Sequence, residues 1–237
     1  MTDNFKLFEE YVYYSTPNRG RTINDDPDKY YVVEIIKRGK DHNGMTGNNI
    51  HFKNYYINKI SDLYRFEPEI KKLCDVFGMR AYVSVNYKSY EQVTKDTCLA
   101  YADRIVRNDF AKPYRLWESC SGKYVNSNNK RWIIDLDEGE YDEYIDDLIN
   151  MIWDCRPEGQ KVFSVFPTRT GKHLITAPFD EDQFMEKFEK FNNDKGLEHD
   201  PKFLKDRIKR NHLTLLYENL DGEEYKVWNL IDIRANI

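Results

Sequence analysis

The chain has 237 residues, of which 40% are apolar and 15% aromatic, with 18 tyrosines and 13 phenylalanines. That length buries a substantial core as one large domain or two small ones, and the composition excludes a disordered chain. The formal net charge of −5 argues against a module that only grips nucleic acid through a general basic excess, and leaves room for an enzyme with a local acidic site.

Residues 1–29 read as polar, with turn-rich stretches at Thr16-Pro17-Asn18 and Asp25-Asp26-Pro27. Tyr30 to Lys37 and Phe52 to Ile57 are β-branched and aromatic runs, expected as strands. A glycine-containing loop, Arg38 to Asn49, separates them. Ser61 to Phe77 has helical spacing, with Pro68 marking a start or restart and Gly78 closing it. Arg80 to Asn86 alternates as a strand. Ser89 opens a capping pattern with Gln92. Tyr90, Val93, Thr94, Thr97, Tyr101 and Ile105 then form one helical stripe. The polar run Asn126 to Asn129 is the expected junction between an N-terminal α/β portion, 1–125, and a second portion, 126–237, unless the two are one continuous domain.

In the second portion, Arg131 to Leu136 is a buried-type strand and Glu140 to Trp153 an amphipathic helix. Lys161 to Phe166 and His173 to Thr176 are strands joined by a tight turn. Glu181 to Asn192 is a helix, and Leu213 to Glu218 and Val227 to Ile231 are strand-like. The order suggests an α+β domain with helices packed on a sheet.

Charge is unevenly spread. Asp135 to Asp147 holds eight acids and no base, whereas Arg104 to Arg131 and Lys202 to Arg210 are rich in bases. The four cysteines, Cys74, Cys98, Cys120 and Cys155, lie far apart without CxxC spacing. This argues against a zinc ribbon and for free, reduced thiols. Met1 to Glu10 is polar and charged, and no apolar run is long enough to span a membrane. A cytoplasmic protein without membrane contact is expected.

Two stretches carry chemistry. In Trp132-Ile133-Ile134-Asp135-Leu136-Asp137, two acids bracket one leucine at the end of an apolar strand. Residues two apart in a strand project from the same face, about 7 Å apart along it. Like charges so placed repel unless a cation neutralises them, and Mg²⁺ takes carboxylate oxygens together with water and substrate phosphate. Alternatively the pair are plain exposed acids at a strand end. The second stretch is Pro167-Thr168-Arg169-Thr170-Gly171-Lys172-His173. A small, hydroxyl-rich glycine turn brings its N–H groups and hydroxyls close to phosphate oxygens, and Arg169 and Lys172 add positive charge.

Together these residues resemble the catalytic core of archaeo-eukaryotic primases and primase-polymerases. They are most similar to the polymerase domain of bacterial end-joining ligases, whose first motif also reads Asp-Leu-Asp. The second motif there is a Thr/Ser- and Gly-rich turn ending in His, as in Thr168 to His173. The resemblance spans about Arg131 to Asp180 and gives no account of residues 1–125.

It implies an RRM-like antiparallel-sheet core. It also implies Mg²⁺ or Mn²⁺ held by Asp135, Asp137 and a third carboxylate. That third group is Asp232, in Leu230-Ile231-Asp232-Ile233-Arg234-Ala235-Asn236, or its rival Glu218. Thr168, Arg169, Thr170, Gly171, Lys172 and His173 would hold a nucleoside triphosphate. The implied function is a template-directed nucleotidyltransferase, a DNA or RNA primase or primase-polymerase.

A single-stranded DNA template would lie along basic side chains, with Arg104, Arg107, Lys112, Arg115, Lys123, Lys130 and Lys202–Arg210 as candidates. Tyr114 and Tyr124 could stack on its bases. The chain has no GxxxxGK[ST] run, so a replicative helicase would be a separate chain. Composition and size suggest a phage or mobile element. A non-catalytic module that binds nucleic acid or replication proteins, and a metal-dependent nuclease, stay open as alternatives.

Overall fold

The computed structural model describes residues 1–15, 26–39, 49–124, 130–137, 141–196 and 205–219. The expected junction at 126–129, the strand-like run Val227 to Ile231, and Asp232 with the stretch around it lie outside the described residues. So do Lys202 and the N-terminal turns at Thr16–Asn18.

The chain is α+β, and its described residues form two antiparallel sheets. The first has the order β1-β10-β4-β2-β3, with β5 paired to the start of β2. Its strands are β1 (Thr2–Asp3), β2 (Lys29–Lys37), β3 (Ile50–Ile57), β4 (Arg80–Ser84), β5 (Lys88–Ser89) and β10 (Leu213–Glu218). The second sheet has the order β7-β8-β6-β9. It consists of β6 (Trp132–Asp137), β7 (Val162–Thr168), β8 (Gly171–Thr176) and β9 (Ile208–Arg210). Thus β10, from the far end of the described chain, is the neighbour of β4.

Period-two alternation sorts the first sheet. Tyr31, Val33 and Ile35 of β2 and Ala81 and Val83 of β4 are buried in one core with α1 (Phe5–Ser15) and α2 (Ile60–Phe77). The expectation that residues 1–29 are merely polar is corrected by α1. Phe5, Phe8, Tyr11 and Val12 share a face, and each is almost wholly buried. Lys6, Glu10 and Tyr13, exposed on its other face, mask this stripe in the sequence. α2 runs unbroken through Pro68, which therefore neither starts nor restarts it. Gly78 ends it at φ 58°, where its N–H reaches the Cys74 carbonyl in the left-handed cap that favours glycine.

Ser89 caps α3 (Tyr90–Val106) by accepting from the Gln92 N–H at 3.0 Å. The expected stripe on α3 is buried only at Val93 and Thr97, while Ile105 is exposed. α4 (Leu116–Lys123) packs beside α3. It is tied down by buried Lys88, whose ammonium donates to the Ser121 carbonyl at 2.6 Å. Burial pushes the Lys88 pKa down.

The second sheet has its own helices. Ile134, Leu136 and Leu174 pack with Leu148 and Ile152 of α5 (Ile145–Trp153) and with Phe184 and Phe188 of α6 (Glu181–Lys195). The opposite face carries Ile133, Phe166 and Ile175, which belong to the same core as α1 and the first sheet. Tyr11 meets Phe166 edge-on at 6.0 Å between ring centroids. Asn86 joins the sheets in both directions. Its amide accepts from the Arg131 N–H at 2.6 Å and donates to the Arg131 carbonyl at 3.0 Å. No helix among the described residues is long and apolar enough to cross a membrane.

Candidate functional site

The chemistry-bearing stretches meet through strand register. In the β6–β8 pair, Asp135 lies opposite His173, Leu136 opposite Lys172, and Asp137 opposite Gly171. In β7–β8, Phe166 lies opposite His173, and Thr168 opposite Gly171. Cross-strand partners share a face. One face therefore runs from packed Ile133, Ile175 and Phe166 outward to Asp135, His173, Thr168 and Asp137. The strands carry their apolar ends into the core and present their polar ends at its margin.

That margin is a cavity of about 550 Å³. Asp135, Asp137, Thr168, Arg169, Thr170, His173 and Lys209 line it from the second sheet. The first sheet supplies Ile36, Arg80, Tyr82, Leu213 and Leu215, and flanking Arg38, Asn49 and His212 complete the wall. Two acids thus face a cavity bordered by Arg38, Arg80, Arg169, Lys209 and His212.

The hairpin is tighter than expected: β7 runs to Thr168 and β8 starts at Gly171, so only Arg169 and Thr170 form the turn. Gly171 has φ 152°, and a Cβ there would lie 1.9 Å from the Leu136 carbonyl oxygen. Glycine is therefore needed for close approach to β6, directly beside Asp137. The turn is clasped from outside. Buried Asn4 donates from its amide to the Pro167 carbonyl at 2.9 Å and to the Leu215 carbonyl at 2.8 Å.

Each acid has a cationic or polar partner. His173 Nε2 lies 3.3 Å from Asp135 Oδ1, and the other ring nitrogen, Nδ1, lies 3.0 Å from Thr214 Oγ1. The hydrogen bond from His173 holds the Asp135 carboxyl below its usual range. Burial opposes this shift, and the charges of His173, Arg207 and Lys209 add to it. Asp137 pairs with the Arg207 guanidinium.

Six of the expected site residues, Asp135, Asp137, Thr168, Arg169, Thr170 and His173, line this one cavity. Gly171 shapes its wall. Lys172 is a correction. Being odd by one in register, it leaves from the opposite face, toward the α5 side, and binds Asp142 at 2.7 Å. Glu218 does not line the cavity. Its Oε2 lies 3.1 Å from Arg80 Nε, with both side chains almost wholly buried. Asp232 is outside the described residues.

The expected basic strip divides. Lys209 lines the cavity, Arg207 holds Asp137, and Arg210 pairs with Glu181. Arg104, Arg107, Lys112, Arg115 and Tyr114 lie on α3 and the segment leading into α4, and Lys123, Tyr124 and Lys130 lie on α4 or after it. This group attaches near the start of β2, whereas the cavity is at its end. Motif reasoning missed Asn4, Thr214 and Tyr82. Arg38 and Arg80 belong to no motif and are marked in the sequence only as bases at strand ends, where ligand contacts often occur and plain solvation fits equally; both line the cavity.

The donor set suits a hard divalent cation in one respect. Two carboxylates leave adjacent outward positions of one strand, and Mg²⁺ commonly takes one or two carboxylates and completes its shell with water and substrate phosphate. Among the described residues, no group of three His, Cys, Asp or Glu side chains is placed to hold a metal by itself. Asp135 and Asp137 are the two carboxylates in the cavity wall that could contribute to holding such an ion.

No family model matches the chain, and neither a curated protein nor a solved structure does.

Proposed function

We propose that the chain is a template-directed nucleotidyltransferase of the archaeo-eukaryotic primase type, with an RRM-like catalytic sheet formed by β6 to β9. The observation that carries this reading is the convergence of Asp135, Asp137, Thr168, Arg169, Thr170 and His173 on one cavity.

Asp135 and Asp137 would hold Mg²⁺ or Mn²⁺, with Asp232 as the proposed third ligand. When bound, the ion supplies Lewis-acid stabilisation of charge on the reacting phosphate. The chain's own groups do the rest. Thr168 and Thr170 offer hydroxyls to phosphate oxygens, and His173 offers a ring N–H. Arg169 supplies charge at the turn, and Arg38, Arg80 and Lys209 complete a cationic border. Preorganised donors of this kind favour the charge that develops in phosphoryl transfer. The apolar side of the cavity, Ile36, Tyr82, Leu213 and Leu215, excludes water from the base and sugar.

In this reading the protein acts in the cytoplasm of a bacterial or phage-infected cell. Its partners are single-stranded DNA and nucleoside triphosphates, and a separate helicase does the unwinding. A metal-dependent nuclease needs no nucleotide-binding turn, so Thr168 to His173 counts against that alternative.

A second reading is favoured by one observation: His173 and Arg207 already partner the two acids. A module that binds nucleotide or nucleic acid without turnover would show the same pairs. Incorporation of labelled nucleotides on single-stranded templates separates the two, using Mg²⁺ and Mn²⁺ in parallel. Metal-dependent product that disappears in Asp135→Ala/Asp137→Ala supports the transferase. Triphosphate binding without product supports the module.

A further inference from the structure

His173 is held at both ring nitrogens, and the two contacts are not chemically equivalent. A carboxylate only accepts, so the hydrogen shared between Nε2 and Asp135 Oδ1 at 3.3 Å belongs to Nε2. A neutral imidazole has one N–H, which leaves Nδ1 as an acceptor. The group 3.0 Å from Nδ1 is the Thr214 hydroxyl, which donates as well as accepts. Thr214 is 0% exposed, so water does not compete for that nitrogen from its side. It belongs to β10 of the first sheet, whereas His173 belongs to β8 of the second. Its backbone is fixed opposite Val83 in the β10–β4 ladder.

We propose that Thr214, by donating to Nδ1 while Asp135 accepts at Nε2, is the positioning residue that holds the His173 ring and aims its Nε2–H into the cavity, as a fixed donor to an anionic ligand oxygen. The ligand part of this inference rests on the phosphate-binding reading above, but the positioning part does not. A ring donor held from behind by a separate sheet presents its hydrogen without reorganising when a phosphate oxygen replaces the carboxylate. The adjoining cavity residues, His212 and Leu213, come from the same stretch of chain. The first sheet thereby sets the geometry of a side chain whose motif lies wholly in the second.

The test is two-bond ¹H–¹⁵N NMR of the full chain at pH 8, where an ordinary imidazole is neutral. His173→Gln assigns the signal. The wild type is expected to show a protonated Nε2 and a bare Nδ1. Thr214→Val keeps the shape and removes the hydroxyl, so bare Nδ1 loses its donor and should shift downfield toward the value of an unbonded ring nitrogen, while Asp135 keeps Nε2 protonated. Thr214→Ser should restore the wild-type pattern.

Calorimetric titration with a deoxynucleoside triphosphate should show about tenfold weaker binding for Thr214→Val and near recovery for Thr214→Ser. A protonated Nδ1 in the wild type, or a Thr214→Val spectrum and affinity unchanged from wild type, overturns the inference. If the wild type shows the expected tautomer but binds no triphosphate, the nucleotide reading fails while the positioning role of Thr214 stands.

Discussion

The two faces of the β6–β8 pair are made by alternate residues of the same two strands and differ in everything else. On one face Ile134, Leu136 and Leu174 disappear beneath α5 and α6. On the other, Ile133 and Ile175 pack inward, while Asp135, Asp137 and His173 reach the cavity. The helix side buries its apolar side chains along the strands. The cavity side is covered only partway, and its polar residues begin where the cover ends. A strand pair can therefore carry a charged site at no cost to its own packing, provided the chemistry is confined to alternate residues near one end.

Substituting one face at a time should give opposite results. Asp135→Asn/Asp137→Asn keeps shape and removes both charges, so nucleotide incorporation should fall by at least about 100–1000-fold. The melting temperature should fall by less than in the core variant that follows. Leu136→Ala, between them, should act the other way. It opens a cavity under α5 and α6 and should cost about 2–5 kcal/mol, read as an earlier midpoint in urea. Incorporation per folded molecule should be largely retained. Equal losses of activity and stability in both variants would mean that the faces are not independent.

Much of this division was legible in the sequence because it depends on spacing. Alternation placed the acids on one side of a buried strand, and the glycine turn announced a hairpin that ends in His173. Charge beside a turn groups Lys172 with Arg169, but parity separates them. One residue of register sends Lys172 to the helix side. The opposite cavity wall was not legible. Arg80 and Tyr82 reach the site only because β10 pairs with β4, a long-range match that no local pattern encodes. Thr214 reads simply as a strand residue until His173 is seen beside it. α1 was hidden because its four buried residues alternate with glutamate, lysine and tyrosine.

Gly171 tests whether the faces depend on close strand approach. Gly171→Ala would place a methyl group 1.9 Å from the Leu136 carbonyl oxygen. The backbone conformation alone should cost about 1–3 kcal/mol, and the displaced strand should move Asp137 relative to His173. Stability and triphosphate affinity should fall together here, unlike in the two earlier variants.

Acid titration isolates one contact. The Asp135 carboxyl is held below its ordinary value by His173. Its contribution is therefore present above about pH 4 and is lost as pH falls through the lowered value. The difference in melting temperature between wild type and Asp135→Asn should shrink below that pH. A constant difference would show that the pairing contributes no stability.

The smallest expected effect is the sharpest check on parity. Lys172 and Arg169 are three residues apart at the same hairpin, and sequence alone treats them alike. The fold does not. Lys172 pairs with Asp142 on the helix side, with side chains 36% and 45% exposed. Arg169 lines the cavity. A partly exposed ion pair is screened by water, so Lys172→Ala should change stability by no more than about 0.5 kcal/mol. Triphosphate affinity should stay near wild type. Arg169→Ala should leave stability alone and weaken triphosphate binding about tenfold or more. Calorimetric titrations of both variants in the same buffer decide the matter. Were Lys172→Ala the more damaging of the two, the face from which each side chain leaves the hairpin would have no bearing on the ligand, and the cavity would not be where it binds.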